Sequence, residues 1–431
     1  MPRDLFVEIA HNPSADYTRL PRPTGPFRPG DDGRPDQPPA LDLVVTLRRP
    51  PGTDLLQISA YRPGERTPRT RGHHADLAIP AAVLLAKTAR LRTIWRDRLV
   101  RYASVDAAGL PLDHPFLRSV DLSALAATTD VRVDELAQEG RYLLDTMLAG
   151  PDRDLTAFRE YLTGALTEHG PLRVSFDSDL HLPWPMLAVG PLGDDPWAGF
   201  LGYRHQVEQT GAGYTPIQPP YPARSRPVAS LNTDDSLEAI GRAPEVRKLL
   251  EERAELSVRT ESEDLLAALS SAVLDEDVMY FWCHGQFVDN GTAFEQLAVS
   301  LTDDRQIDAD LVRRHRGPLV GAPDAMFRPF VLLNACHTGQ SAAAELEHLG
   351  RALIELGAEG VLGPQIEIPT VFAAEYAFAF LELYLTGELT AGEITRSLVH
   401  RFAREFHNPL ALTYSLHCGI DSMLSILELN P

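Results

Sequence analysis

The chain has 431 residues, 44% of them hydrophobic, and a formal net charge of -20 at pH 7. This length can bury one large core or two ordinary ones, and the acidic charge argues against a protein whose main function is to bind phosphate backbones. We therefore expect no direct nucleic-acid partner. The cysteines, Cys283, Cys336 and Cys418, are too few for a disulfide framework, which favours a reducing cytoplasm.

The first part of the chain predicts a small α+β domain over residues 1–128. Apolar runs at 5–10, 41–47 and 55–61 have the length and composition of strands, and residues 79–100 have apolar positions at helical spacing. Residues 13–39 are rich in Pro and Gly and indicate a loop or linker. We expect this domain to have a regulatory or docking role.

After residue 128 the pattern changes to long helices at 131–148 and 155–168, followed by a strand at 172–176. Strands and helices then alternate, which predicts a parallel sheet with helices on both faces. The strands are expected at 228–232, 256–259, 278–282, 330–333 and 360–363, and the helices at 243–251, 262–273 and 342–356. The fold class predicted for residues 129–431 is a three-layer α/β fold with a mainly parallel sheet.

Two further helices are expected near the end of the chain, at 371–385 and 390–406. Thr390 is a suitable N-cap for the second because Glu393 follows it by three residues. The first contains Glu375 and Glu382, so it indicates a buried helix rather than a membrane span. Since the start of the chain also lacks the pattern of a secretory signal, we expect a cytoplasmic protein with no membrane partner.

The strongest chemical signal is a histidine and a cysteine that follow two of the apolar strands. His284 comes after strand 278–282, and Cys336 comes after strand 330–333. The carboxyl ends of parallel strands meet at the sheet edge where ligands bind. A thiol is mostly protonated at neutral pH and needs a base such as imidazole to react. The order and the spacing of roughly 50 residues are those of caspase-type peptidases, with His284 as general base and Cys336 as nucleophile.

Glycines next to this pair leave room for a substrate backbone. Gly285 follows the histidine directly, and Gly339 lies three residues after the cysteine. The backbone amides of Gly285 and Cys336 are therefore expected to form an oxyanion hole. This chemistry requires no cofactor and no metal.

Other motifs extend the similarity. The segment 182–187 (Leu-Pro-Trp-Pro-Met-Leu) resembles the Pro-Trp-Glu-Leu segment of the CHAT family of caspase-like cysteine peptidases. Gly350-Arg351-Ala352 with 356–361 (Leu-Gly-Ala-Glu-Gly-Val) resembles the helix–strand step after the nucleophile of that family, and 408–414 resembles its closing segment. The resemblance spans residues 130–425 and implies a cysteine endopeptidase with a caspase-like fold.

Two positions depart from the family pattern and bear on reactivity. Cys283 precedes the histidine where the family usually has Gly or Ala, and His337 follows the cysteine where it usually has an acid. Neither change removes a reacting group, and His337 would add positive potential that lowers the pKa of Cys336.

The resemblance also indicates where a substrate side chain would bind. The residue two before the nucleophile lines that pocket in caspase-like enzymes, which points to Asn334. A neutral amide leaves the preference at the cut open. Acidic residues elsewhere would select Arg or Lys, and the candidates for this role are Asp289, Asp303, Asp304 and Glu367.

The biological setting implied by the family is prokaryotic antiviral defence. CHAT proteases are usually parts of larger prokaryotic systems. These include antiviral defence in which the protease is held silent until a sensor triggers it and then cuts a partner such as a gasdermin-like or CRISPR-linked protein. We therefore expect a protein substrate and an activating partner protein.

Two alternatives belong to other classes. The chain could be a catalytically silent caspase-like scaffold, although His284 and Cys336 are both intact. It could also be a ligand-sensing interaction protein, although residues 1–128 lack a glycine-rich phosphate loop. A metal site at His73-His74-Ala75-Asp76 is disfavoured because adjacent strand residues point to opposite faces.

Overall fold

The computed structural model of the protein describes residues 41–63, 73–105, 110–168, 170–190, 195–211, 224–288, 296–322, 324–337 and 346–426. The predicted strand at 5–10, the linker at 13–39 and the candidate pocket residue Asp289 lie outside these ranges.

The predicted strands and helices occur in the expected order, but the helix predicted at 262–273 ends at Leu269 and is followed by a short strand. Further strands and a helix lie between residues 288 and 330, where none was predicted. The strands are β1 (Leu43–Arg48), β2 (Leu56–Tyr61), β3 (His73–Leu77), β4 (Ser104–Val105), β5 (Pro111–Asp113), β6 (Arg173–Ser178), β7 (Gln206–Thr210), β8 (Val228–Thr233), β9 (Glu255–Arg259), β10 (Val273–Leu274), β11 (Val278–Val288), β12 (Gln296–Ser300), β13 (Gln306–Ile307), β14 (Met326–Phe327), β15 (Phe330–His337), β16 (Gly360–Pro364) and β17 (Tyr414–His417). The helices are α1 (Ala81–Trp95), α2 (Pro115–Arg118), α3 (Ala126–Met147), α4 (Arg153–Thr167), α5 (Leu201–Arg204), α6 (Ala243–Arg253), α7 (Ser262–Leu269), α8 (Ala309–Arg316), α9 (Leu346–Glu355), α10 (Thr370–Tyr384) and α11 (Ala391–Phe406).

One large sheet runs through the described part of the chain. Strands β9, β8, β11, β15 and β16 lie side by side and are parallel to one another. Strand β17 pairs antiparallel with β16, and β7, β6 and β1 follow, each parallel to its neighbour. The hairpin strands β2 and β3 close that end. The predicted α/β class with a mostly parallel sheet is confirmed.

Helices cover both faces of this sheet, and β11 shows why. Its alternate residues Tyr280 and Trp282 belong to the hydrophobic cluster that includes α6 and α10. Met279 and Phe281 point the other way, into a second cluster with α7 and α9. A strand buried on both faces has a continuous apolar sequence, as β11 does. The arrangement has three layers.

The first 128 residues contribute to the same sheet and the same core. Strand β1 pairs parallel with β6, with Leu43 opposite Val174 and Leu47 opposite Ser178. Trp95 of α1 is fully buried and packs edge-to-face on Phe200, with ring centroids 5.5 Å apart. The change of pattern at residue 128 therefore lies inside one packed structure. The division into domains 1–128 and 129–431 stays a prediction.

The predicted N-cap of α11 is confirmed, and the segment that resembles a family motif is packed in the core. Thr390 accepts a hydrogen bond from the Glu393 amide while the Glu393 carboxylate accepts one from the Thr390 amide, which is the predicted capping box of α11. Trp184, in the segment that resembles the family motif, is buried and stacks on Phe176 with centroids 3.8 Å apart. Among the described residues, no helix combines the length and apolar character needed to cross a bilayer.

A buried histidine predicts how stability depends on pH. His205 is 1% exposed; its Nε2 lies 2.9 Å from the Leu166 carbonyl, and its Nδ1 accepts a hydrogen bond from the Leu172 amide. Only the neutral ring can make both bonds. Burial lowers the pKa of His205 from 6.5 to about 4. Between pH 6.5 and about 4, His205 is therefore largely protonated in the unfolded chain but neutral in the folded chain.

Above pH 6.5, His205 is neutral in both states and does not reduce the free energy of unfolding. As pH drops from 6.5 towards 4, the free energy of unfolding falls by on the order of 3 kcal/mol. Urea unfolding at several pH values should show a steeper acid loss in the wild type than in His205→Gln, which retains one donor and one acceptor. Equal slopes for the two proteins would show that His205 is not the group responsible.

Candidate active site

The predicted catalytic pair lies at the same level of two neighbouring strands. In the parallel register of β11 and β15, His284 is the direct partner of Cys336, and Gly285 is the partner of His337. Adjacent strands lie about 4.8 Å apart, so the backbones of residues paired in register are direct neighbours. The structure therefore brings together the two residues that the sequence selected 52 positions apart.

Both strands are longer than predicted, so the pair lies within strands and not after them. Strand β8 accompanies β11 only as far as the pairing of Thr233 with Trp282. From His284 onwards β11 pairs instead with β12, antiparallel, with His284 opposite Ser300. The second partner supplies the hydrogen bonds that extend β11 beyond the end of β8. His284 sits at the junction where one neighbour replaces the other.

Asp234 lies at that junction, next to the imidazole of His284. Its carboxylate Oδ2 is 3.6 Å from His284 Nε2, and its side chain is 9% exposed whereas that of His284 is 30% exposed. The Asp234 amide donates to the Trp282 carbonyl, which ties the end of β8 to β11. Its Oδ1 accepts from the Ser236 amide at 2.7 Å. The carboxylate is therefore held in place by its own backbone turn.

That turn is fixed by apolar packing. Asp234 caps a short 3₁₀ turn, Asp235–Leu237, in which Leu237 is buried. The indole Nε1 of Trp282 donates to the Leu237 carbonyl at 3.1 Å. Trp282 thus anchors the turn that presents the carboxylate to the imidazole two residues further along the same strand.

The surroundings of Nε2 indicate which ring nitrogen of His284 could accept a proton. Ser236 Oγ lies 3.3 Å from His284 Nε2, on the same nitrogen that faces Asp234. A carboxylate beside Nε2 favours the tautomer with its proton on that atom. Nδ1 then carries the lone pair that can accept a proton from a thiol.

Comparison with known proteins decides the family. A model of the CHAT domain matches residues 139–408, which is more than half of the chain. The chain belongs to the CHAT family. The predicted enzyme class, a caspase-like cysteine peptidase, is the class of this family.

Individual relatives are more distant. A protein named as a probable protease from Vitiosangium sp. (strain GDMCC 1.1324) is 32% identical over 142 residues, which is 32% of this chain and 17% of that protein. The chain thus matches a small part of this longer relative.

Solved structures with a similar course of the chain have low sequence identity. One Saccharomyces cerevisiae separase–securin complex matches with a TM-score of 0.45 and 11% identity, over 87% of this chain and 30% of that one. The Arg-specific cysteine proteinase gingipain R matches with a TM-score of 0.39 and 10% identity, over 72% of this chain and 80% of that one. The family assignment rests on the CHAT match.

Within this CHAT domain, Asn334 is placed in the core. It is 0% exposed; its Nδ2 donates to the Ala373 carbonyl at 2.9 Å, and its Oδ1 accepts from the Tyr414 hydroxyl at 2.8 Å. Both ends of the amide therefore hold α10 and β17 against β15. Its role in a substrate pocket stays a prediction.

The acidic pocket candidates lie near the same sheet edge with different local roles. Asp303 accepts from the amide and the hydroxyl of Ser262 and so caps the start of α7. Asp304 is exposed in the left-handed region, with φ 55°. Glu367 is half-buried in the loop between β16 and α10. Selection of a basic side chain by these acids stays a prediction.

The remaining cysteines are Cys283 and Cys418, and both members of the pair His73-His74 are exposed. Cys283 is buried in the cluster with α7 and α9, and burial raises the pKa of the Cys418 thiol. His73 stacks on Tyr161 with centroids 3.5 Å apart. In the described ranges no three His, Cys, Asp or Glu residues come together as metal ligands.

Sequence reasoning missed Asp234. The available signal was an acid at the end of the strand predicted at 228–232, which extends to Thr233, at the same carboxyl edge as His284. The order of the strands along the sequence could not show that β8 lies next to β11 in the sheet, because β9 comes between them in the chain. The register decides which acid reaches the imidazole.

Proposed function

We propose that this CHAT protein is a cysteine endopeptidase in which His284 is the general base and Cys336 the nucleophile. The observation that carries the proposal is the register pairing of these two residues, together with the Asp234 carboxylate Oδ2 at 3.6 Å from His284 Nε2. A base that is itself oriented by a third group is the usual signature of an activated nucleophile.

The reaction proceeds through an acyl-enzyme. His284 Nδ1 accepts the Cys336 proton, and the thiolate attacks the carbonyl carbon of the scissile peptide bond. The backbone amides of Gly285 and Cys336 stabilise the resulting oxyanion. The imidazolium then gives its proton to the leaving amine, and water, deprotonated by His284, hydrolyses the thioester. Each step uses only protein groups and water.

Asp234 acts through the histidine as a positioning residue. It orients the ring and stabilises the positive charge that the imidazole carries after proton transfer. Ser236 Oγ, 3.3 Å from Nε2, offers a second polar neighbour to the same nitrogen.

The proposed biological role is more specific than the proposed reaction and rests on the family resemblance. The family resemblance supports a protein substrate of the gasdermin-like or CRISPR-linked kind, an activating partner protein and a role in antiviral defence. The small number of cysteines favours action in the cytoplasm.

The proposal is tested by labelling the purified protein with acyloxymethyl ketone probes that carry Arg, Lys, Asp or Leu before the reactive group. Labelling should disappear in Cys336→Ala and in His284→Ala and persist in Cys418→Ala, because burial raises the pKa of Cys418 and keeps its thiol protonated. The best probe also identifies the preferred residue and shows whether the acids near the site select a base. Labelling that survives in Cys336→Ala would refute the assigned nucleophile.

A further inference from the structure

Strand β9 forms one edge of the large sheet. Across the described residues β9 pairs only with β8. Its side chains are largely accessible: Glu255 and Ser257 are exposed, Leu256 is half-buried, and Val258 is 38% exposed. An open edge strand presents backbone groups that can pair with another strand.

The direction of these backbone groups follows from the pairing with β8. The Glu255 amide donates to the Pro227 carbonyl at 2.8 Å, so the backbone groups of Glu255 face β8. Because direction alternates along a strand, Ser257 and Arg259 also face β8. Leu256 and Val258 therefore direct their N–H and C=O groups outward.

The sequence of β9 is complementary to itself in the antiparallel direction. With Ser257 opposite Ser257 of a second copy, Leu256 of each copy faces Val258 of the other. These are the two residues whose backbone groups point outward, so they form the hydrogen-bonded pairs of the new ladder. Apolar side chains then meet on one face of the joined sheet.

The charges at the ends of the strand match in the same register. Glu255 lies opposite Arg259 of the second copy, on the other face. Arg259 is held on this face by Glu276, at 2.5 Å, and by Asn232, so its charge keeps a fixed position. Charged residues often keep edge strands apart. In this register, however, Glu255 of each copy meets an arginine of the other copy and not a like charge.

We propose that two copies of this chain pair through β9 and form a two-fold symmetric dimer with one continuous sheet. The pairing requires no proteolytic activity, so it is tested independently of the proposed function. A Cys336→Ala protein provides a suitable background because the proposed nucleophile cannot form disulfides.

The direct test is disulfide formation at the pivot. Facing residues of a pair that is not hydrogen-bonded have Cα atoms about 4.5 Å apart, which is within the range of a disulfide. Ser257→Cys should therefore form a covalent dimer on mild oxidation. Glu255→Cys is the matched control, because its twin would lie four residues away along the register, roughly 13 Å, and it should stay monomeric on a denaturing gel.

The second test is the self-association of the unlinked protein, measured by sedimentation equilibrium. Val258→Pro removes two outward hydrogen bonds from the dimer and none from the pairing with β8, and it should raise the dimer dissociation constant roughly 30-fold. Glu255→Arg should also weaken it, whereas the same charge change in the exposed helix residue Glu160 should not. A protein that is monomeric throughout and forms no Ser257→Cys dimer would overturn the proposal. A dimer unaffected by Val258→Pro and uncrosslinked at position 257 would do so as well.

Discussion

Replacing Asp234 by alanine is expected to lower kcat/KM by roughly 10²- to 10⁴-fold while Cys336 and His284 remain in place. The carboxylate lies 3.6 Å from His284 Nε2 and is held by the Ser236 amide at 2.7 Å. Without it the imidazole loses both its orientation and the charge that stabilises its protonated form. The loss should appear in kcat more than in KM, because Asp234 acts through the histidine and not on the substrate.

Two further variants separate positioning from general damage. Asp235→Asn changes the neighbouring exposed carboxylate and should leave activity near the wild-type value. Asp234→Asn keeps the shape of the side chain but loses its charge, so its pH–rate profile should shift in a way that a purely structural role would not produce. Full activity of Asp234→Asn with an unchanged profile would remove Asp234 from the mechanism.

A fragment of residues 129–431 is expected not to fold. It lacks β1, whose Leu43, Val45 and Leu47 are buried, and it lacks Trp95 of α1, which packs on Phe200. Each fully buried large apolar side chain contributes roughly 1.5–3 kcal/mol, and a domain has only about 5–15 kcal/mol in total. Loss of several such side chains, together with the pairing of β1 to β6, exceeds that margin.

The control is a fragment of residues 41–431, which keeps every described strand and should show a cooperative thermal transition. The two fragments are compared by circular dichroism and by the sharpness of that transition. A cooperative transition in the fragment 129–431 would instead support an independent protease domain, as the change of sequence pattern at residue 128 suggests.

Much of the fold follows from local pattern. Strands with continuous apolar sequence, such as residues 278–283 of β11 and 330–333 of β15, are recognisable because they are buried on both faces. Helix α11 is recognisable from its capping box at Thr390 and Glu393. The proposed catalytic pair was also accessible from sequence, because each member lies just beyond the apolar part of its strand and parallel strands end at one edge.

What the sequence did not reveal depends on contacts between distant segments. The extension of β11 past His284 requires β12, whose short run of mixed residues gives no clear strand signal. The burial of Asn334 depends on Tyr414, which is 80 positions away. The contact between Asp234 and the imidazole depends on β8 and β11 being neighbours. These features arise from strand order and register, which periodicity alone does not determine.

The central claim, that His284 activates Cys336, is tested most directly by the rate of Cys336 alkylation as a function of pH. Iodoacetamide modification followed by peptide mass spectrometry gives this rate for the wild type and for His284→Ala. An unassisted thiol gains reactivity only as pH approaches about 8.5. We predict substantial alkylation of the wild type well below that pH and its loss in His284→Ala. Identical profiles in the two proteins, both rising near 8.5, would contradict the proposed dyad.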